Sequence, residues 1–504
     1  MYIPVTFRKI SPTPKLKKLI KKYIIEENLL LELIIMDAKQ LVSQYKDDLI
    51  KDLMGLLSID SVKSDAVKDA PVGEGPKQAL EYMINLGAQE GLPTKVVDNL
   101  AGHIEFGQGE KLFGVLGHVD VVPPGKGWTS EPFEPVLANN EITARGVQDD
   151  KGPTMAAYYA LKILHNEGYK FNQRVRLIVG TDEESDWQCT EAYFKSEEMP
   201  DAGFSPDAAF PVIHGEKGIT SFNIVQTNLD DEYVDSDIEL KAFISGERYN
   251  MVPESAEAKL KVLTQMSSII QAYEGFIRKT GNTGKYEIDG GFLKLELSGK
   301  SAHGSTPEEG VNAGTELLKF LAEIELDTNG RQFVNFAEKY IIGNLSGEQF
   351  GMAHHHEEMG NVGVNTGMIN YTEVDGGIFG VNLRYPAGLD FDQGIENLEE
   401  TIKETGFTIE DISDQKPHYV DKNDPLVLKL LESYQKHTGD DSEAFTIGGG
   451  TYARTLERGV AFGAMFSDTV DTMHQKDERM NIDELLLATA IYLEALYNTC
   501  VVKP

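Results

Sequence analysis

The sequence predicts an α/β protein with a mostly parallel central sheet, interrupted by an inserted α+β domain. Three observations carry that prediction. Helix-like and strand-like stretches alternate from about residue 36; the texture turns antiparallel near residue 218; and the α/β alternation resumes after about residue 415. The expected boundaries are 1–35 for a basic N-terminal extension, 36–215 for the first part of the main domain, 216–415 for the insertion, and 416–504 for the second part. At roughly 150 residues per domain, 504 residues hold two to four cores.

The elements follow in order. Residues 1–35 carry seven Lys or Arg against three Glu, a net of +4. A basic start followed by the apolar patch 29–35 has the outline of a signal peptide, but Glu32 interrupts it and no small-residue cleavage site follows. The extension is therefore expected to be an appendage without chemistry. Met36 opens a cleaner helix with apolar Leu41, Tyr45 and Ile50. A second helix is expected near 75–90 and a strand over 111–122. Pro153 suits the first helical position, where a missing N–H costs little, and Ala156, Ala157 and Ala160 allow close packing. A strand over 174–179 ends in a cluster of acids. In the insertion, 292–297 is a strand, and Thr306, Pro307, Glu308 and Glu309 have capping-box form before a helix carrying Val311, Leu317, Leu318 and Leu321. The alternation of Phe379, Val381, Leu383 and Tyr385 with Gly380, Asn382 and Arg384 implies a half-buried strand. A strand over 460–466 and a closing helix over 482–497 complete the pattern.

Composition excludes several functions. A net charge of −34 argues against a broad footprint for nucleic acid or anionic lipid. No run of about 18 uncharged apolar residues occurs, so no membrane-spanning segment is expected. Cys189 and Cys500 are too few for a disulfide framework and too far apart for a CxxC motif. Reduced thiols and a cytoplasmic location are the expectation.

The chemistry-bearing residues gather at predicted strand ends. His118 and Asp120 form H-x-D, and a period of two puts both on one face. The carboxylate can then take the second ring N–H and leave the other nitrogen for a metal. Asp149 and Asp150 lie in a turn bounded by Gly146 and Gly152; alone, they read equally as a solvated loop or a helix cap. Asp182, Glu183 and Glu184 repel one another at the mouth of a buried strand unless a cation compensates them. One such carboxylate can bind metal while its neighbour acts as general base. Asp207 precedes a short strand at 208–212, and His474 precedes the last helix. Two imidazoles and three carboxylates suit zinc, manganese or cobalt, and a bridging carboxylate would hold two cations at roughly 3.5–4 Å. His354, His355 and His356 read as a solvated loop, and His103, His165, His214, His418 and His437 as structural or surface residues. Gly448, Gly449 and Gly450 lack the strand–GxGxxG–helix context of a dinucleotide site, and no G-x-S-x-G elbow appears.

Taken in sequence, GHVDVVP (117–123), ARGVQDDKG (144–152), TDEES (181–185), SPD (205–207) and His474 resemble the motifs of metallopeptidase family M20, the aminoacylase and carboxypeptidase G group. The resemblance spans nearly the whole chain from about residue 36. It is nearest to the bacterial PepV-type dinuclear zinc dipeptidases, through FSPDAAFPVIHGEKG (204–218), SGKSAHGSTPEEG (298–310) and DTMHQKDE (471–478). The resemblance implies a zinc-peptidase-like catalytic domain, with the insertion as its lid. It also implies two zinc ions per chain, with manganese or cobalt as substitutes. His118 and Asp207 would bind one ion, Glu184 and His474 the other, and Asp149, joined to Asp150 by a cis peptide, would bridge them. Glu183 would be the general base and Asp120 the partner of His118. His303 would stabilise the oxyanion with Asn250 nearby, Arg384 would bind the substrate carboxylate, and Gly448, Gly449 and Gly450 would line the pocket. The implied substrates are short peptides. An insertion of about 200 residues, large enough to complete the pocket within one chain, favours a monomer. Two alternatives stand: an N-acyl amino acid or succinyl-diaminopimelate deacylase on the same scaffold, and a non-catalytic metal-binding protein. One departure is Asp186, where many relatives have glycine; its charge is expected to affect metal affinity or local packing without removing a ligand.

Overall fold

The computed structural model describes residues 37–229 and 236–503; the basic extension 1–35 and Met36 lie outside them. Two sheets organise the chain. The centre of the first is four parallel strands in the order Arg174–Gly180, Leu112–His118, Ala202–Ser205 and Gly459–Ala461. Antiparallel neighbours flank them: Ala101–Phe106 and Thr94–Val97 on one side, Ile213–Glu216 and His418–Tyr419 on the other. Every residue of Leu112–His118 is buried, as expected of a parallel strand covered on both faces. The helices Lys151–Asn166 and Ile482–Cys500 pack against each other, the former also on Leu112–His118. That contact is close: a Cβ on Gly117 would sit 1.9 Å from Thr154 Oγ1.

The second sheet has eight strands, all antiparallel, from Thr283–Asp289 at one edge to Phe407–Gln415 at the other. The helices Ala313–Ala322 and Thr328–Tyr340 pack on it through buried Leu317, Leu318, Phe333 and Phe336. The largest apolar core draws on residues between 38 and 212 and between 420 and 501; the core of the second sheet draws on residues between 222 and 407. This is the predicted architecture: an α/β domain with a parallel-centred sheet, and an α+β lid domain.

Local departures have physical causes. Two helices, Ala38–Gln44 and Lys46–Leu57, stand where one was expected, separated at Tyr45 by backbone near φ −100°, ψ 2°. Pro153 is the third residue of its helix, still in the first turn, where N–H groups lack intrahelical partners. Thr306 caps nothing with its side chain. Pro307–Glu309 forms only a short 3₁₀ turn, Gly310 is extended, and the helix starts at Ala313, capped by Asn312 Oδ1 accepting from Thr315 N. Val311 therefore lies outside that helix, bridged to Lys300. Gly376–Tyr385 is buried on both faces, not one, because its polar face meets other parts of the chain rather than solvent. The strand expected over 460–466 splits into Gly459–Ala461 and Ala464–Met465, which pair in different sheets.

Candidate metal centre and its lid

Three adjacent parallel strands end at one edge of the first sheet, the position where α/β sheets gather functional groups. His118 is the last residue of Leu112–His118. Glu183 and Glu184 follow Arg174–Gly180, and Asp207 follows Ala202–Ser205. Asp149 arrives from the turn before Lys151–Asn166, its peptide bond to Asp150 cis, and His474 from the loop before Arg479–Asn481.

His118 Nε2 lies 3.1 Å from Asp149 Oδ1 and 3.6 Å from Asp207 Oδ2. His474 Nε2 lies 2.9 Å from Asp149 Oδ2 and 3.0 Å from Glu184 Oε1. Asp149 thus offers one carboxylate oxygen to each imidazole. Two sets of ligand atoms result, His118 with Glu183 and Asp207, and Asp149 with Glu184 and His474; within each, the atoms lie within 4.8 Å of one another. His118 donates from Nδ1 to the carbonyl of Asp120 at 3.1 Å, which leaves Nε2 as the lone-pair nitrogen. That Nε2 is buried and makes no directed hydrogen bond, although two carboxylates face it. Nitrogen and oxygen donors converging in this way, from a buried His118 through half-buried carboxylates to an exposed His474, fit divalent cations of the zinc class.

The electrostatics agree. Four carboxylates share the site with two imidazoles. Burial pushes the carboxyls of Glu183, Glu184 and Asp207 up. Burial also acts on half-buried Asp149, yet His118 and His474 hold it below the usual carboxylate range. Asp149 and Glu184 push His474 up to about 10. Burial opposes a proton on His118, but Asp120, Asp149 and Asp207 raise its pKa well above the ordinary value. A bound cation would compete with protons for the same nitrogens.

Asp120 does more than the H-x-D spacing predicts. The strand ends at His118, and the ring bonds to the Asp120 carbonyl, with Oδ1 farther away at 3.4 Å from Nδ1. The Asp120 carboxylate instead accepts from the N–H groups of Glu183 and Glu184, at 3.2 and 3.1 Å, and so fixes the acidic turn. Trp187 Nε1 donates to the Glu183 carbonyl, and the Tyr452 ring packs edge-on against both Trp187 and His118. Neither aromatic carries a motif that singles it out in the sequence. Asp186 belongs to neither ligand set: it is largely exposed and pairs with Lys63 Nζ at 2.6 Å, which offsets its charge.

The lid residues form a separate cluster, and among the described residues neither ligand set contains a side chain from the lid domain. Ser305 N–H and Oγ–H both point at His303 Nδ1, at 3.2 and 2.6 Å. A backbone N–H can only donate, so Nδ1 is the acceptor and the proton of the neutral ring sits on Nε2. Burial and the charge of Arg384 push the His303 pKa down, which favours that neutral form. Arg384 donates to Asn382 Oδ1 and to the Gly448 carbonyl, each at 2.9 Å, joining the lid to the main domain. A cavity of about 490 Å³ is lined by Ser221, Tyr249, Asn250, Asn382 and Arg384 among others. Gly449 and Gly450 pack on Arg454 instead: its Nη2 donates to the Gly449 carbonyl, and a Cβ on Gly450 would meet the guanidinium at 2.6 Å. The remaining histidines stay apart. His355 contacts Asn361, His356 Nδ1 accepts from the backbone of Glu358 and Met359, and His103 bonds to the Tyr193 hydroxyl.

Comparison with known proteins agrees with this geometry. The model of peptidase family M20/M25/M40 matches residues 114–498. A Staphylococcus aureus protein (strain bovine RF122 / ET3-1) that bears the name "Putative dipeptidase" is 52% identical over 465 residues, covering 92% of this chain and 99% of that one. Among solved structures, an aminoacylhistidine dipeptidase from Vibrio alginolyticus superposes with a TM-score of 0.55 at 13% identity, covering 90% of this chain and 97% of that one. A dipeptidase from Saccharomyces cerevisiae does so with a TM-score of 0.53 at 16% identity, covering 92% and 98%. With its acidic strand ends, its paired sheets and a family match over most of its length, the chain belongs to peptidase family M20/M25/M40.

Proposed function

We propose that this M20 peptidase is a dinuclear zinc-dependent dipeptidase acting on dipeptides and other short peptides. The observation that carries this reading is the Asp149 carboxylate, set with one oxygen toward His118 and the other toward His474. Its likeness to a relative named as a dipeptidase, over 99% of that relative's length, supports the substrate class. His118 and Asp207 would hold one cation, Glu184 and His474 the other, and Asp149 both. Bound cations would supply Lewis-acid polarisation of the scissile carbonyl and make an attacking water more acidic.

This chain's own residues supply the rest. Glu183, held by the Asp120 carboxylate through its N–H, takes the proton of the attacking water and returns it to the leaving amine. Burial raises its pKa, which suits a group that must gain and lose a proton. The Nε2–H of His303 donates to the developing oxyanion, and Arg384 pairs with the substrate carboxylate. Asn382 orients that guanidinium from one side, with Asn250 on the same cavity. Arg384 of the insertion bonds to the Gly448 carbonyl of the same chain, which supports a pocket completed in cis and hence a monomer. Among the described residues no helix is long and apolar enough to cross a membrane, and the net charge of −34 disfavours nucleic acid as a partner; a cytoplasmic location fits both.

The test is to chelate the protein, restore zinc, manganese or cobalt singly, and assay dipeptides, tripeptides and N-acetyl amino acids together. Metal-dependent cleavage with dipeptides preferred is the expected result. Preference for N-acetyl amino acids would move the reading to the deacylases.

A further inference from the structure

Glu478 is fully buried and lies four residues after His474, yet the catalytic scheme does not use it. Its carboxylate collects donors from the opposite segment. Oε2 accepts from Arg145 Nη1 at 2.7 Å and Gly146 N at 2.9 Å; Oε1 accepts from Gln148 N at 2.8 Å and Asp149 N at 3.2 Å. The backbone of Glu478 joins in, its carbonyl accepting from Ala144 N at 3.0 Å. Gln148 closes the loop from the other side. Its Oε1 accepts from Thr472 N and Oγ1 at 2.8 and 2.6 Å, and its Nε2 donates to the Val470 carbonyl at 3.1 Å.

These contacts join two segments that are distant in sequence and carry different ligands. Residues 144–149 deliver Asp149, and residues 470–478 deliver His474. A buried carboxylate is costly unless it is paired and hydrogen-bonded. Here one cation and three backbone N–H groups satisfy it, and one of those N–H groups belongs to Asp149 itself. We propose that Glu478 is a positioning residue: by clasping the 144–149 turn to the 470–478 segment, it holds the Asp149 carboxylate at its bridging distance from His474 and so sets the affinity of the site for its second cation. The proposal rests on the two-cation reading above.

Glu478→Gln keeps the shape but turns one acceptor oxygen into an NH₂. That group would then face either Arg145 and Gly146 or the N–H groups of Gln148 and Asp149, donor against donor. Partners that orient ligands in this way typically change metal affinity by about 10–100-fold, and a weakening of that size is expected for the second cation. The experiment is equilibrium dialysis of the full chain against buffered free Co²⁺, reading bound cobalt per chain, with thermal denaturation in chelator as a parallel readout. Wild type is expected to bind two cobalt ions; one or none would overturn the two-cation reading, and this proposal with it. If wild type binds two, a Glu478→Gln isotherm that superposes on it overturns the proposal alone. A purely structural role would lower the melting temperature in chelator without weakening the second cobalt relative to the first. That pattern also overturns the proposal. Should Glu478→Gln not fold, Thr472→Val decides: it removes the hydroxyl that donates to Gln148 Oε1 and accepts from Arg479 N, and leaves Glu478 and its partners in place. Loss of the hydroxyl's bond to Gln148 predicts about threefold weaker binding of the second cobalt, and an unchanged isotherm would overturn the clasp.

Discussion

Asp149 is half-buried between two imidazoles, and Glu183 lies in the same ligand set as His118 and Asp207 although its proposed role is that of the base. Substitution separates those two roles. Glu183→Gln keeps the side-chain shape and removes the proton acceptor, so turnover is expected to fall by about 10² or more with cobalt or zinc content unchanged. Metal analysis beside the kinetics checks it: a variant that loses an ion would make Glu183 a ligand. At this scale the motifs exposed much of the site, because the ligand-bearing residues sit at strand ends that polarity and spacing mark. The carbonyl of Asp120 as the acceptor for His118, the Ser305 contact that sets the His303 proton, and the Lys63 pairing of Asp186 were not legible. Each depends on a partner brought close only by folding, or on a backbone atom that every residue carries.

Strand and helix packing fixes where those residues meet. Gly117 lies one position before His118, and a Cβ there would collide with Thr154 Oγ1 and approach Asp150 Oδ2 at 2.8 Å. Gly117→Ala therefore forces Lys151–Asn166 away from the sheet. A loss of about 1–3 kcal/mol in chemical denaturation is expected, together with weakened metal retention. A second element-level device joins the strand Ala101–Phe106 to the helix Gln188–Ser196, through the Tyr193 hydroxyl at 2.8 Å from His103 Nδ1. Burial, with the charge of Arg176, pushes His103 down to about 4. The unfolded chain takes up this proton near 6.5 and the folded chain does not. The stability is thus fully present above about pH 6.5 and is lost as pH falls toward 4. Melting temperatures across that window should fall more steeply for wild type than for His103→Asn; parallel curves would refute the assignment. The helix cap at Asn312, rather than Thr306, shows why element boundaries were harder to read. Capping-box spacing was present, but extended Gly310 ended the local turn before a helix could propagate.

At the scale of the whole molecule the lid joins the main domain within one chain. Arg384 of the lid reaches the Gly448 carbonyl of the main domain of the same chain, and the proposal to be tested is an active site complete in cis. Mixing inactive Glu183→Gln with inactive His303→Ala is then expected to give no recovery. Recovery of a fraction of wild-type activity would show histidines shared across a dimer and overturn the monomer reading. The exchange of partners can be confirmed by sedimentation of the mixture.

By itself the sequence determined the fold class, the interruption of an α/β domain by an α+β insertion, and the acidic strand ends with their two histidines. Periodicity, glycine turns and local runs of charge are short-range properties, and they persist in the chain before it folds. Only the tertiary structure decided that Asp149 offers its two oxygens to two different histidines, and that Ser305 sets the proton on His303. It alone also brought buried Glu478 onto the backbone of residues 146–149, more than 300 positions away. These are distances of about 3 Å between segments remote in sequence, and hydrogen-bond strength falls steeply with distance and angle. Composition and spacing specify which groups are present. The packing of two sheets specifies which of them touch.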